Sequence, residues 1–188
     1  MVEYLRAKEI KTCIFAHNMT EVQSLRPLLR REEGEDDYVE LEGRAVEEIT
    51  YNLNMITRKL NFEQEYRFSL IVGAECWSLL KAHSSLMQHF LLAAYYANCI
   101  LAHGFTPQEK AEITQKLKHS YNRPHTLLSI GSSYSDLLFE NFSDVSVIIS
   151  ACDREKVHSD IPSDIRAPNI ASLRRIIELG SWVSTAYS

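Results

Sequence analysis

Thr126-Leu-Leu-Ser-Ile-Gly-Ser-Ser-Tyr-Ser-Asp136 is the stretch on which the fold turns. Thr126 to Ile130 has the length and apolar content of a buried strand. Gly131 then opens a small polar turn, and Asp136 stands where a helix would begin. Strand, Gly-led turn and helix form the repeating unit of an open α/β sheet. Ligands of such sheets bind just past the carboxyl ends of the strands. The loop has the shape for phosphate or metal but carries few carboxylates.

Working outward, Val145 to Ile149 is a β-branched run that predicts the next strand, with a short helix from Asp136 to Asn141 between the two. Upstream, Lys11-Thr-Cys-Ile-Phe15, Arg67 to Val72 and Asn98 to Ala102 predict further strands. Helices are predicted over 2–9, from a cap at Asn18 or Thr20 to Leu29, over 45–60, over 79–97 and over 170–187. In the third-strand segment, Thr106-Pro107-Gln-Glu109 spells a helix start: a capping hydroxyl, Pro at the first helical position and Glu three residues after the cap. That helix should run to Ser120, before Arg123-Pro124. Strands alternating with helices predict an α/β fold with a mostly parallel sheet.

Two segments predict loops. Residues 31–48 hold nine acidic and two basic side chains, read as a solvated acidic loop about 31–45, with an acidic docking segment as the alternative. Residues 152–168 carry charge and two prolines.

The chain has 188 residues, 45% hydrophobic and 24% charged, enough for a real core. A net charge of −5 and the lack of a basic stripe argue against nucleic acid as a partner. Cys13, Cys76, Cys99 and Cys152 form no CxxC pair, which argues against a zinc site or a disulfide framework. Asn18-Met-Thr and Asn141-Phe-Ser match the glycosylation pattern, too short a motif to carry weight. The first nine residues are too charged for a signal peptide. The longest apolar run, Phe90 to Ala102, is too short to cross a bilayer and reads as core. His17, His103, His119 and His125 lack ligand spacing and read as surface histidines. Ser132, Ser133 and Ser135 have no base placed beside them for nucleophilic work.

Several stretches together resemble the phosphorylation domain of P-type ATPases, most closely that of the lipid flippases. Gly131-Ser132-Ser133-Tyr134-Ser135-Asp136 resembles the family's Gly-Asp-Gly-x-Asn-Asp loop, and Val145-Ser-Val-Ile-Ile-Ser150 its following strand. Cys99-Ile-Leu-Ala-His-Gly-Phe-Thr106-Pro107-Gln-Glu-Lys110-Ala111 is similar to the strand and Pro-x-x-Lys-Ala segment. Leu5 to Asn18 is similar to the segment ending in Thr-Gly-Asp, here Ala16-His17-Asn18. Leu173 to Trp182 resembles the stretch leading toward a membrane helix.

The resemblance implies a haloacid-dehalogenase-like, Rossmann-type parallel sheet with helices on both faces. It implies that 1–188 is the second part of such a domain, its C-terminal helix 170–188 leading toward a membrane segment, at the cytosolic face of a membrane assembly. It implies phosphoryl transfer with ATP and magnesium, catalysis that rests on positioning and electrostatics. The nucleophile motif Asp-Lys-Thr-Gly-Thr occurs nowhere here, so its central strand and the nucleotide-binding domain would come from another polypeptide segment. Without that strand, two sheet edges and part of a core are expected to be open.

Departures from the pattern bear on activity. Ser132 stands for the magnesium-binding Asp, and a neutral hydroxyl is a poor ligand for a hard cation. Ser133 and Ser135 replace the second Gly and the Asn, and Ala16-His17-Asn18 loses a hydroxyl and a carboxylate. Lys110 remains, to be read as a phosphate contact or as an exposed helix lysine; Asp136 remains, as a metal remnant or as a helix N-cap. The expected function is a degenerate structural or regulatory module. The alternatives are a segment of an active lipid-transporting ATPase and a stand-alone phosphatase of the same fold. Flippase-like domains fused to guanylate cyclases offer a family-level analogy for a sensing role.

Overall fold

The computed structural model describes residues 2–8, 10–29, 38–41, 45–62, 66–121, 126–131, 136, 142–149, 164–175 and 177–178. They fall into two compact units, Val2–Asn122 and Arg123–Ser188.

The first unit is an α/β layer structure. After a short helix α1 (Val2–Ala7), strands β1 (Thr12–Ala16), β2 (Tyr38–Leu41), β3 (Ser69–Gly73) and β4 (Cys99–His103) form one sheet in the order β1-β4-β3-β2. All its pairings are parallel, with Thr12 opposite Cys99 and Ser69 opposite both Cys99 and Tyr38. The helices between them are α2 (Met19–Leu29), α3 (Val46–Phe62), α4 (Ala74–Ala82) and α5 (Ser84–Tyr96), with α6 (Pro107–Ser120) after β4.

The order explains which face each helix covers. From β2 the chain steps through β3 to β4 in one direction, and right-handed crossovers place α3, α4 and α5 on one face. From β1 to β2 it travels the opposite way, so α2 falls on the other face. The buried clusters follow this division. Leu70, Val72, Ile100 and Ala102 pack with Trp77, Phe90 and the inner side of α3, whereas Ile71, Cys99 and Leu101 pack with Val22 of α2. Every residue of β3 is buried, as a strand covered on both faces requires. Trp77 and Phe90 are fully buried and meet edge-to-face at 6.1 Å, each contributing about 1.5–3 kcal/mol through burial.

The second unit holds a three-stranded parallel sheet, β5 (Leu128–Gly131), β6 (Val145–Ile149) and β7 (Ile165–Ala167), in that order. Its small core is Val147, Ala167 and Leu173, the last from a helical stretch over 171–175 and 177–178. Asn169 caps that stretch, its Oδ1 accepting from the Ser172 N–H at 3.0 Å.

Three expectations need correction. The acidic loop contains a strand, because Tyr38–Leu41 pairs with β3 and drives Leu41 into the core while the Glu40 side chain pairs with Arg26 of α2. The loop over 152–168 contains β7, held by the Asp164 carboxylate, which accepts from the Ser146 N–H at 2.8 Å. The helix expected from Leu79 starts at Ala74 and breaks at His83, whose extended backbone (φ −128°, ψ 98°) separates α4 from α5. The short helix over 136–141 lies outside the described residues except for Asp136, as does the end of the C-terminal helix.

Candidate functional site at the strand carboxyl ends

In the first unit β1 and β4 are neighbours whose following helices cover opposite faces of the sheet. This is the topological switch point at which open α/β sheets leave a crevice for ligands. The segments that end there are Ala16-His17-Asn18 after β1 and His103-Gly104-Phe105-Thr106 after β4. They are tied together by the Gly104 N–H, which donates to the Ala16 carbonyl at 3.1 Å. Gly104 has φ +71°, a conformation that glycine adopts without strain.

The turn after β1 is closed by its own side chains. Asn18 Oδ1 accepts from the Glu21 N–H at 3.1 Å, and Glu21 Oε2 accepts from the His17 N–H at 2.7 Å. This is a reciprocal cap at the start of α2, and it assigns the cap to Asn18 rather than Thr20. The His17 amide is thus taken by the chain's own carboxylate. His17 itself is exposed.

Lys110 comes to the same end of β1 from α6. Thr106 caps that helix, its hydroxyl accepting from the Glu109 N–H at 3.2 Å, with Pro107 in the first turn. One turn in, Lys110 is only 8% exposed, and its ammonium stands 5.6 Å from the ring centroid of Phe15, the residue before Ala16. The reading of Lys110 as an exposed helix lysine is thereby overturned.

His103, read as a surface histidine, is only partly exposed. Its imidazole takes the space beside Gly73: a Cβ on Gly73 would lie 3.0 Å from Cε1 and 3.1 Å from Nε2. Nothing in the spacing of His103 signals this; the parallel register that puts Gly73 opposite His103 does. His119 is exposed, and His125 lies outside the described residues.

In the second unit, Gly131 is the buried last residue of β5. Ser132, Ser133, Tyr134 and Ser135 lie outside the described residues. Asp136 is 9% exposed and sits in a tight helical turn. Two other aspartates, Asp144 and Asp164, are spent on structure: Asp144 accepts from the Leu127 N–H at 2.8 Å at the entry to β5, and Asp164 fixes β7 as above.

As a magnesium site the donor set of this loop does not fit. It offers Asp136 as its one carboxylate beside serine hydroxyls, where a hard dication requires charged oxygens. Among the described residues no group of three or more His, Cys, Asp or Glu is placed to hold a metal ion. Also among them, no helix is long and apolar enough to cross a membrane.

The fold defines an α/β protein with parallel sheets flanked by helices, in the Rossmann-like manner. No protein-family model matches the chain, and no curated protein matches it.

Proposed function

We propose that this chain is a catalytically degenerate segment of a phosphorylation domain like that of the lipid-flippase P-type ATPases, acting as a structural or regulatory module of a membrane assembly. The observation that carries the proposal is the meeting of Lys110 with the end of β1. The resemblance gives Lys110 the role of a phosphate contact; here Lys110 is buried and its ammonium stands over Phe15, next to Ala16-His17-Asn18. Ala16-His17-Asn18 carries neither the hydroxyl nor the carboxylate of Thr-Gly-Asp, and the His17 amide is taken by Glu21. Loss of charge at Ser132 works in the same direction.

β1 and β5 are each an edge of their own sheet among the described residues, and both are uncharged strands. Uncharged edge strands are what would flank a missing central strand. In this reading another polypeptide segment supplies that strand and the nucleotide-binding domain, and the assembly lies at the cytosolic face of a membrane.

The test is acid-stable phosphate incorporation from labelled ATP into the complete assembly, with magnesium present. The expected result is no labelling above a control. Labelling that disappears in Lys110→Ala would instead favour the alternative, an active lipid-translocating ATPase completed by a nucleophile carried elsewhere. Turnover of a generic phosphoester by the 188-residue chain alone would favour the phosphatase reading.

A further inference from the structure

The outer face of α3 has a pattern that the core does not explain. Ile49, Leu53 and Ile56 face inward and are fully buried. On the opposite side, Glu48, Tyr51, Met55, Arg58 and Phe62 follow one another at steps of three, four, three and four residues, the spacing of a helix-pairing seam. All five are exposed, Tyr51 at 65% and Phe62 at 86%. Covering a phenylalanine this open to water would be favourable.

The charges say what covers it. The first turn of α3 is acidic, with Glu47 and Glu48, and its last turns are basic, with Arg58 and Lys59. Glu48 with Arg58 and Tyr51 with Met55 share a single midpoint, position 53, while Glu47 and Lys59 flank the two charged positions. A two-fold axis through that midpoint lays a second α3 antiparallel on the first, makes both pairings at once, twice over, and sets each acidic cluster against a basic one. Phe62 then extends past the last charged pair and covers the start of the partner helix. A single helix that is complementary to its own reversed copy needs no other partner to satisfy it.

We propose that this chain associates as a two-fold symmetric dimer through antiparallel pairing of α3 with α3 of a second copy. The seam is Tyr51, Met55 and Phe62, and the Glu47/Glu48 and Arg58/Lys59 clusters set its direction. An antiparallel arrangement is selected because a parallel one would put like charges side by side.

Sedimentation velocity of the 188-residue chain over a concentration series tests this. The expected result is a reversible monomer–dimer equilibrium that weakens with salt. E47K/E48K and R58E/K59E should each weaken dimerisation about tenfold or more, because each turns both charge clusters repulsive. An equimolar mixture of the two variants should restore it as a heterodimer, and the fourfold variant E47K/E48K/R58E/K59E should restore it as a homodimer. All four positions are exposed, and unchanged circular dichroism verifies folding. Phe62→Ala should weaken the dimer about tenfold in all backgrounds. A chain that stays monomeric to roughly 200 µM overturns the proposal. So does a dimer that survives either charge reversal, or variants whose mixture stays monomeric; a different occupant, such as another protein or a lipid surface, would give the first of these outcomes.

Discussion

Gly73 lacks a side chain because His103 already occupies the space one would take. The distance from a built Cβ to the imidazole is 3.0 Å, below ordinary contact, so the ring would have to give way. Gly73→Ala should destabilise the unit by about 1–3 kcal/mol, read as a lower urea midpoint. His103→Ala in the same background should recover part of the loss. At the other end of the crevice, Glu21→Ala removes the carboxylate that holds the His17 N–H and should cost about 1 kcal/mol. Burial pushes the Cys76 thiol up from 9.0 to about 12, and burial first, then the Cys13 thiol and Tyr95, raises the Tyr121 phenol from 10.0 to about 12. Both groups keep their protons longer when folded, so their contribution is full below pH 9 and lost as the pH rises toward 12. A denaturation series across that window should show stability falling with pH. Cys76→Ala should flatten part of the slope.

At the scale of elements, α4 and α6 are joined by one carboxylate. Glu112 Oε2 accepts from Lys81 Nζ at 2.9 Å and from Trp77 Nε1 at 3.3 Å. The Lys81 hydrogen bond, foremost, holds the Glu112 carboxyl below its usual range against a smaller opposing effect of burial. A depressed carboxyl contributes stability above its unfolded value of 4.5 and loses it as the pH falls through the folded value. Glu112→Gln should therefore remove a small acid-side dependence, and the Trp77 fluorescence of the folded protein should respond to the same change. The strand β2 is anchored by the fully buried Leu41, so Leu41→Ala should cost about 2–5 kcal/mol in thermal or urea unfolding. A solvated loop at that position would tolerate the change without measurable loss. How legible each element is follows from where its signal lies. Thr106-Pro107-Glu109 carries its information locally, in a cap and a preset φ, and α6 begins where that motif says. β2 and β7 carry almost none: four residues inside an acidic run, and three beside a proline, become strands through partners far along the chain.

For the whole molecule, the sequence by itself determined the α/β alternation, the strands β1, β3, β4, β5 and β6, and the helix start at Thr106. Each of these is written in apolar runs and caps that act over a few residues. It also carried the candidate positions Ala16, His17, Asn18, Lys110, Gly131 and Asp136. It could not say which of them meet. Only the tertiary structure decided that β1 lies at an edge beside β4, which makes a switch point, and that Lys110 is buried over Phe15 rather than solvated. It likewise decided that Glu21 closes the turn and that His103 fills the space over Gly73. The reason is physical. Capping and periodicity depend on neighbours three or four residues away, whereas burial, parallel register and the meeting of strand ends depend on residues some ninety positions apart, such as Cys13 and Ile100, whose proximity no local pattern encodes.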